Sequence, residues 1–224
     1  MVESVLVDYG GIALRRIEHF IWDFDGTLFD TYPMIIGNLQ NALAEFGHTC
    51  EPVDAMRRML ENIPAARDHY ADLYGIPREE LALAYTHYSQ EAMKQPTGKP
   101  MQGVREVLAR ICETGRYNYI FTNRNLEQTM RFLLKYDLDG YFRCNIGAES
   151  PCFAYKPAPD AILWLKEQFG MTNQNTVMIG DRLCDLESGR NAGVRTVHYV
   201  CAMVPENLTC DWRIETYDTM LQML

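Results

Sequence analysis

The sequence has no apolar run approaching the roughly 20 residues needed to span a bilayer. Its first twenty residues carry Glu3, Asp8, Arg15, Arg16 and Glu18, so no signal-peptide core is expected there. Positive charge is scarce: 21 Lys and Arg stand against 30 Asp and Glu, a net charge of −9. That balance argues against a general nucleic-acid binder, which needs clustered cations for phosphate backbones. A small phosphorylated ligand needs only local positive charge. None of the seven cysteines (Cys50, Cys112, Cys144, Cys152, Cys184, Cys201, Cys210) pairs as CxxC. A reduced, cytoplasmic protein is therefore expected, without structural zinc. Gly and Pro, 15 and 10 residues, are too few for a linker protein, and no internal repeat is visible. His48, His69, His87 and His198 have no ligand spacing with one another.

What is present has the proportions of an ordinary globular enzyme: 224 residues, 47% hydrophobic and 23% charged. The length suits one core domain with a smaller insert. Short β-rich runs at His19–Trp22, Tyr117–Thr122, Thr176–Gly180 and Arg195–Val200 look like buried parallel strands, with Asn145–Gly147 as a weaker candidate. Helical spacing lies between them at Val104–Cys112, Leu126–Tyr136 and Asp160–Phe169, the last introduced by Pro157 and Pro159. This alternation predicts an α/β fold, a Rossmann-like doubly wound parallel sheet covered on both faces.

One stretch breaks the alternation. From Pro33 to Met93 only helical periodicity occurs, in the series Ile35-Leu39-Leu43-Phe46, Met56-Met59-Leu60, Tyr70-Leu73 and Leu81-Leu83-Tyr88. It reads as a helical domain inserted after the first core strand, with Gln95–Pro100 as the return hinge. The expected division is core at 1–30 and 96–224, and helical insert at 31–95. Residues 1–18 form an extension of unclear role, in which Val5–Tyr9 is a candidate edge strand.

Chemistry gathers at the strand ends. The first strand runs into Asp23-Phe24-Asp25-Gly26-Thr27. Alternate residues of a strand share a face, so Asp23 and Asp25 can point together. Two close carboxylates repel, and a divalent cation with oxygen ligands, magnesium, relieves this. One acid can then act as nucleophile and the other as proton donor. Gly26 permits a tight turn away from the site. The bland alternative is a turn capped by acids. The second strand ends in Thr122-Asn123, either a phosphate-binding hydroxyl and amide or a helix cap. Lys156, before Pro157, is either exposed or aimed at an anion. A further buried strand delivers Asp181, with Asp185 one helical turn later. The small residues Ser188, Gly189, Ala192 and Gly193 would let that helix approach the sheet. Open α/β sheets bind ligands beyond the carboxyl ends of their strands, so these groups should converge.

The ordered set Asp23-x-Asp25, Thr122, Lys156 and Asp181-x-x-x-Asp185 resembles the haloacid dehalogenase superfamily of aspartate-nucleophile phosphotransferases. The resemblance runs from about His19 to near the end of the chain, and the helical insert resembles the C1 cap of phosphoglycolate-phosphatase-like members. It implies a magnesium-dependent phosphatase acting on a small phosphorylated metabolite, a monomer or weak homodimer with no membrane or nucleic-acid partner. By the same resemblance Asp23 is the nucleophile and Asp25 the acid and base. Thr122, Asn123 and Lys156 hold the phosphoryl group. Asp23, Asp25 (through its carbonyl), Asp181 and Asp185 serve the metal. Two other superfamily chemistries fit less well. Dehalogenases lack the second acid, present here as Asp25. Phosphonate cleavage needs a cap lysine, and none occurs between Asp30 and Met93. The β-phosphoglucomutase-like mutases carry a histidine where this chain has Ile35 after Asp30-Thr31. A phosphosugar mutase and a non-catalytic phosphate-sensing or partner-binding module are the alternatives. Phe29, Tyr32, Arg57, Arg58 and Arg67 are candidate substrate contacts, better explained as core packing for the aromatics and solvated helix face for the arginines. Arg124 and Arg182 flank motif residues and are better candidates. Trp22 is expected under the site.

Overall fold

The computed structural model describes residues 14–150, 152–201 and 207–224. The candidate strand Val5–Tyr9 and Asp8 lie outside them. In chain order the elements are β1 (His19–Trp22), β2 (Phe29–Asp30), α1 (Tyr32–Ala44), α2 (Pro52–Glu61), α3 (Ile63–Tyr74), α4 (Arg78–Ala92) and β3 (Lys99–Pro100). Then come α5 (Val104–Glu113), β4 (Tyr117–Phe121), α6 (Leu126–Lys135), β5 (Phe142–Ile146), α7 (Asp160–Phe169) and β6 (Thr176–Gly180). The chain continues through α8 (Leu183–Asn191), β7 (Arg195–Tyr199), β8 (Trp212–Ile214) and α9 (Tyr217–Met223).

Among the described residues, six strands form a parallel sheet in the order β5-β4-β1-β6-β7-β8. The Rossmann-like α/β expectation is met. All four residues of β1 are buried because the strand is central, with Ile21 aligned between Tyr119 of β4 and Met178 of β6. Side chains alternate across it: Phe20 and Trp22 join the apolar cluster with Val107 and Phe132, while Ile21 joins the opposite cluster with Ile162 and Leu165. Trp22 is fully buried, and its indole N–H donates to Asn118 Oδ1 at 2.9 Å. The chain builds outward from β1 first toward β5, then back toward β8. The strand order therefore reverses at β1, where a crevice opens at the carboxyl ends.

The region expected to be helical contains α1 to α4, which bury a cluster of their own around Leu39, Leu43, Met56, Met59, Tyr70 and Leu81. Two of the four starts, those of α2 and α3, are capped by side chains. Glu51 accepts from the Asp54 N–H at 2.8 Å, Asn62 accepts from the Ala65 N–H at 2.9 Å, and Pro52 and Pro64 occupy the first turns. Leu73 and Leu83, expected on the apolar faces, are 57% and 71% exposed. Leu83 is displaced because Leu81 and Ala84 take the buried side of α4. The return hinge is more ordered than expected, since Lys99 and Pro100 pair antiparallel with Asp30 and Phe29. The weak strand at 145–147 begins earlier, at Phe142.

The small-residue pattern in α8 has a direct consequence. A Cβ on Gly189 would stand 2.9 Å from both Met178 Cβ and Thr196 Cγ2, on neighbouring buried strands. Gly189→Ala is expected to destabilise the fold, because overpacking of about 1–3 kcal/mol outweighs the roughly 1 kcal/mol of helix propensity gained. A lower urea midpoint at unchanged m-value is the expected reading; an equal or higher midpoint would contradict the close approach.

Candidate active site

The carboxyl ends of β1, β4 and β6 place the predicted residues together. Asp23 follows β1 directly, and its N–H donates to the Ile179 carbonyl at 2.8 Å, extending the β1–β6 ladder by one residue. The chain then turns at Gly26, whose φ of +77° suits glycine. A side chain there would also collide with the Asp181 carboxylate and the Tyr32 ring.

Asp23, Asp181, Asp185 and Lys156 are all buried. Lys156 Nζ pairs with Asp23 Oδ1 and lies 2.6 Å from Asp185 Oδ1. Asp23 Oδ2, by contrast, is buried with no hydrogen-bond partner. Among the described residues, Asp23, Asp181 and Asp185 bring carboxylate oxygens within 4.8 Å of one another. Burial, then the charge of Asp185, pushes the Asp23 carboxyl up to about 6, against the pull of Lys156 and Arg182. Burial and the charges of Asp23 and Asp185 raise Asp181 well above the ordinary carboxylate range. Lys156 is held cationic: burial opposes its charge, but Asp185 and Asp23 outweigh it. Lys156 and Arg182 balance the three buried acids only in part, and a buried acid oxygen without a partner is costly. A hard divalent cation satisfies both demands, so the donor set fits magnesium.

Asp25 has different surroundings. Its Oδ1 accepts from the Thr31 hydroxyl at 2.5 Å. Arg124 Nε reaches both carboxylate oxygens at 2.9 Å, and Arg124 Nη2 lies 2.7 Å from Oδ1. Burial pushes this carboxyl up, but the Arg124 charge and hydrogen bonds, with Thr31, outweigh it and leave it below its usual value. The two acids of the Asp-x-Asp pair are thus driven apart in the metal-free fold, Asp23 toward its protonated form and Asp25 toward its carboxylate.

Thr122 is buried, and its Oγ1 accepts the Arg124 N–H at 3.0 Å. The Asn123 side chain ties the neighbouring loop: its Oδ1 accepts from the Lys156 N–H at 3.0 Å. That fixes the backbone bearing Lys156. Tyr32 is expected from the sequence to pack in the core. It is buried, but its hydroxyl donates to Asp181 Oδ2 at 2.6 Å, tying the first residue of α1 to the acid cluster. Arg57 and Arg58 pair with Asp54 on the helix surface, as expected of a solvated face. Phe29 stacks on Phe24 inside the core. Thr31 and Thr27, which donate to Asp25 and Asp181, had no separate signal in the sequence.

Tyr32→Phe removes a buried hydrogen bond, leaving Asp181 with Thr27 at 3.2 Å. A loss of about 1–3 kcal/mol is expected in metal-free buffer. Urea denaturation in EDTA measures it, and an unchanged midpoint would show that the bond contributes nothing to stability.

Fold and site together define a Rossmann-like α/β protein with a carboxylate centre at the carboxyl edge of its sheet. The chain belongs to the haloacid dehalogenase-like hydrolase family, whose profile it matches over residues 20–199. It is 28% identical over 197 residues to a pyrophosphatase PpaX of Listeria innocua, covering 86% of this chain and 88% of that one. To the N-acetylmuramic acid 6-phosphate phosphatase of Pseudomonas aeruginosa it is 28% identical over 203 residues, 88% of each chain. Its fold superposes on a Haemophilus somnus protein described as a predicted phosphoglycolate phosphatase, with a TM-score of 0.80 at 18% identity, covering 93% of this chain and 98% of that one. No helix among the described residues is long and apolar enough to cross a membrane.

Proposed function

We propose that this chain is a magnesium-dependent phosphatase that hydrolyses a small phosphomonoester through an aspartyl-phosphate. The observation that carries the reading is Asp23: fully buried, with one oxygen on Lys156 and the other without a partner. The family membership and the phosphatase names of its relatives support it. Asp23 attacks phosphorus, forming an O–P bond as the ester P–O bond breaks. The departing oxygen takes a proton from Asp25. In the second half, Asp25 takes a proton from water, whose oxygen attacks the aspartyl-phosphate and frees Asp23 and inorganic phosphate. Lys156, the Thr122 hydroxyl and the Asn123 N–H hold the equatorial phosphoryl oxygens, which is most of what phosphoryl transfer asks of a protein. Magnesium, held by the Asp23 carboxylate, the Asp25 carbonyl and Asp181 and supported by Asp185, would supply charge neutralisation.

The Arg124 fork keeps Asp25 as a carboxylate, the form the second half uses. For the first half Asp25 must carry a proton, so Arg124 must loosen as the substrate seats. In this reading α1 to α4, roughly residues 31–95, act as a cap that excludes water from the reaction.

Phosphate release from a panel of small phosphomonoesters, with magnesium and with EDTA, tests the proposal. Magnesium-dependent release is expected. No release from any ester, p-nitrophenyl phosphate included, would overturn it.

A further inference from the structure

Arg182 follows Asp181 directly and stands where two cavities meet. One, of about 220 Å³, opens beside Asp25, and the other, of about 1180 Å³, opens beside Lys156. Arg182, Asn123 and Ile63 of α3 line both. The arginine side chain therefore lies between the carboxyl edge of the sheet and the helices α1 to α4. Arg124, which lines the smaller cavity, is committed to Asp25. Arg182 is not committed: among the described residues, no carboxylate lies within ion-pair distance of its guanidinium. Its Nε is buried with no hydrogen-bond partner. A buried guanidinium nitrogen without a partner is costly, so the position calls for an acceptor that the protein does not supply.

The charge of the surrounding groups says what that acceptor is for. With Asp25 and Arg124 neutralising each other, Asp23, Asp181 and Asp185 outnumber Lys156 and Arg182 by one charge. A divalent cation, which binds the acids in their ionised form, turns that deficit into an excess of one. Without Arg182 the loaded centre would be neutral. An anionic nucleophile approaches a phosphoryl dianion more readily where the surrounding charge is positive, so this one arginine sets the sign of the site. Its charge already reaches the acids: it pulls the Asp23, Asp25 and Asp181 carboxyls down against their burial.

We propose that Arg182 is a further substrate-binding residue, whose guanidinium donates to an oxygen of the transferring phosphoryl group itself. The inference rests on the phosphatase reading and adds to it a second cation on that group, beside Lys156, whatever alcohol departs. A planar guanidinium fork matches phosphoryl oxygens, whereas a lysine there would supply the charge without the fork.

Binding, not turnover, tests it, so its failure can be told from failure of the phosphatase reading, which fails when no ester is hydrolysed. Inorganic phosphate, which has no leaving portion, is titrated calorimetrically into the whole protein at saturating magnesium. Magnesium is titrated separately, without phosphate. Arg182→Gln is expected to bind phosphate about tenfold or more weakly, in keeping with a lost charge-assisted bond. Magnesium alone should bind the variant at least as tightly as the unaltered protein, because a repelling charge has gone. A residue that merely props up the site would weaken both ligands when removed. Arg182→Lys should recover part of the phosphate affinity. If the glutamine variant does not fold, the lysine variant carries the test with a loss of about threefold or more, since it keeps the charge and loses the fork. Phosphate affinity unchanged in the folded variants, or a parallel loss of magnesium and phosphate binding, overturns the proposal. So does a failure of the unaltered protein to bind phosphate.

Discussion

Asp23→Asn is expected to lower kcat by a factor on the order of 10⁴ or more, as removal of a covalent nucleophile does elsewhere, while the protein stays folded. The amide keeps the size of the acid and loses both the nucleophile and the charge. Stability should move the other way. Burial and Asp185 raise the Asp23 carboxyl from 3.8 to about 6, so its ionised form is disfavoured in the metal-free fold. Between about pH 4 and 6 the folded protein holds a proton there that the unfolded chain has released. Stability contributed by this group is therefore present below the unfolded value and declines as pH rises through the folded one. In EDTA the unaltered protein should lose stability across that window, and Asp23→Asn should lose less. Its melting temperature at pH 7.5 should equal or exceed that of the parent. Substantial residual turnover in the variant would sink the nucleophile assignment. An identical pH dependence of the two melting curves would sink the electrostatic account.

Lys156→Met is the second large effect. Lys156 is the buried cation that pairs with both Asp23 and Asp185. Removing it leaves acids in a dry site with no direct countercharge, a change that typically costs about 3–5 kcal/mol. A loss of this size can unfold a domain of ordinary stability. The variant is expected to melt far below the parent in EDTA, or to be recovered only in small amounts. Adding Asp185→Asn to it should restore part of the loss, because the second substitution removes one of the stranded charges. If Lys156→Met melts with the parent in EDTA, the lysine is not balancing the cluster. Should the double variant be as unstable as the single one, the loss is one of packing instead.

Much of this was legible beforehand for an identifiable reason. β1, α7 and β6 have the predicted bounds because buried central strands and a proline-led helix leave strong local patterns. The strand-end residues were legible because a parallel sheet must bring its carboxyl ends to one edge. What escaped depends on distant pairs. The Tyr32 hydroxyl meets an aspartate 149 positions away, and Arg124 meets one 99 positions away. No periodicity within α1 separates a tyrosine that packs from one that also donates a hydrogen bond. β8 escaped because three residues, with Arg213 at the middle, carry too little alternation to read as a strand. β2 and β3 are each two residues long and exist only through each other.

That smallest pairing has a consequence for how such a chain can change over generations. Asp30 and Lys99 sit opposite one another, so the path out to the helices and the path back run side by side. Everything between them can be lengthened, exchanged or cut back to a tight turn without re-routing a strand of the parallel sheet. The arrangement lets selection on what is recognised proceed with little disturbance to the core, apart from the few residues, Thr31 and Tyr32 foremost, that touch its acids.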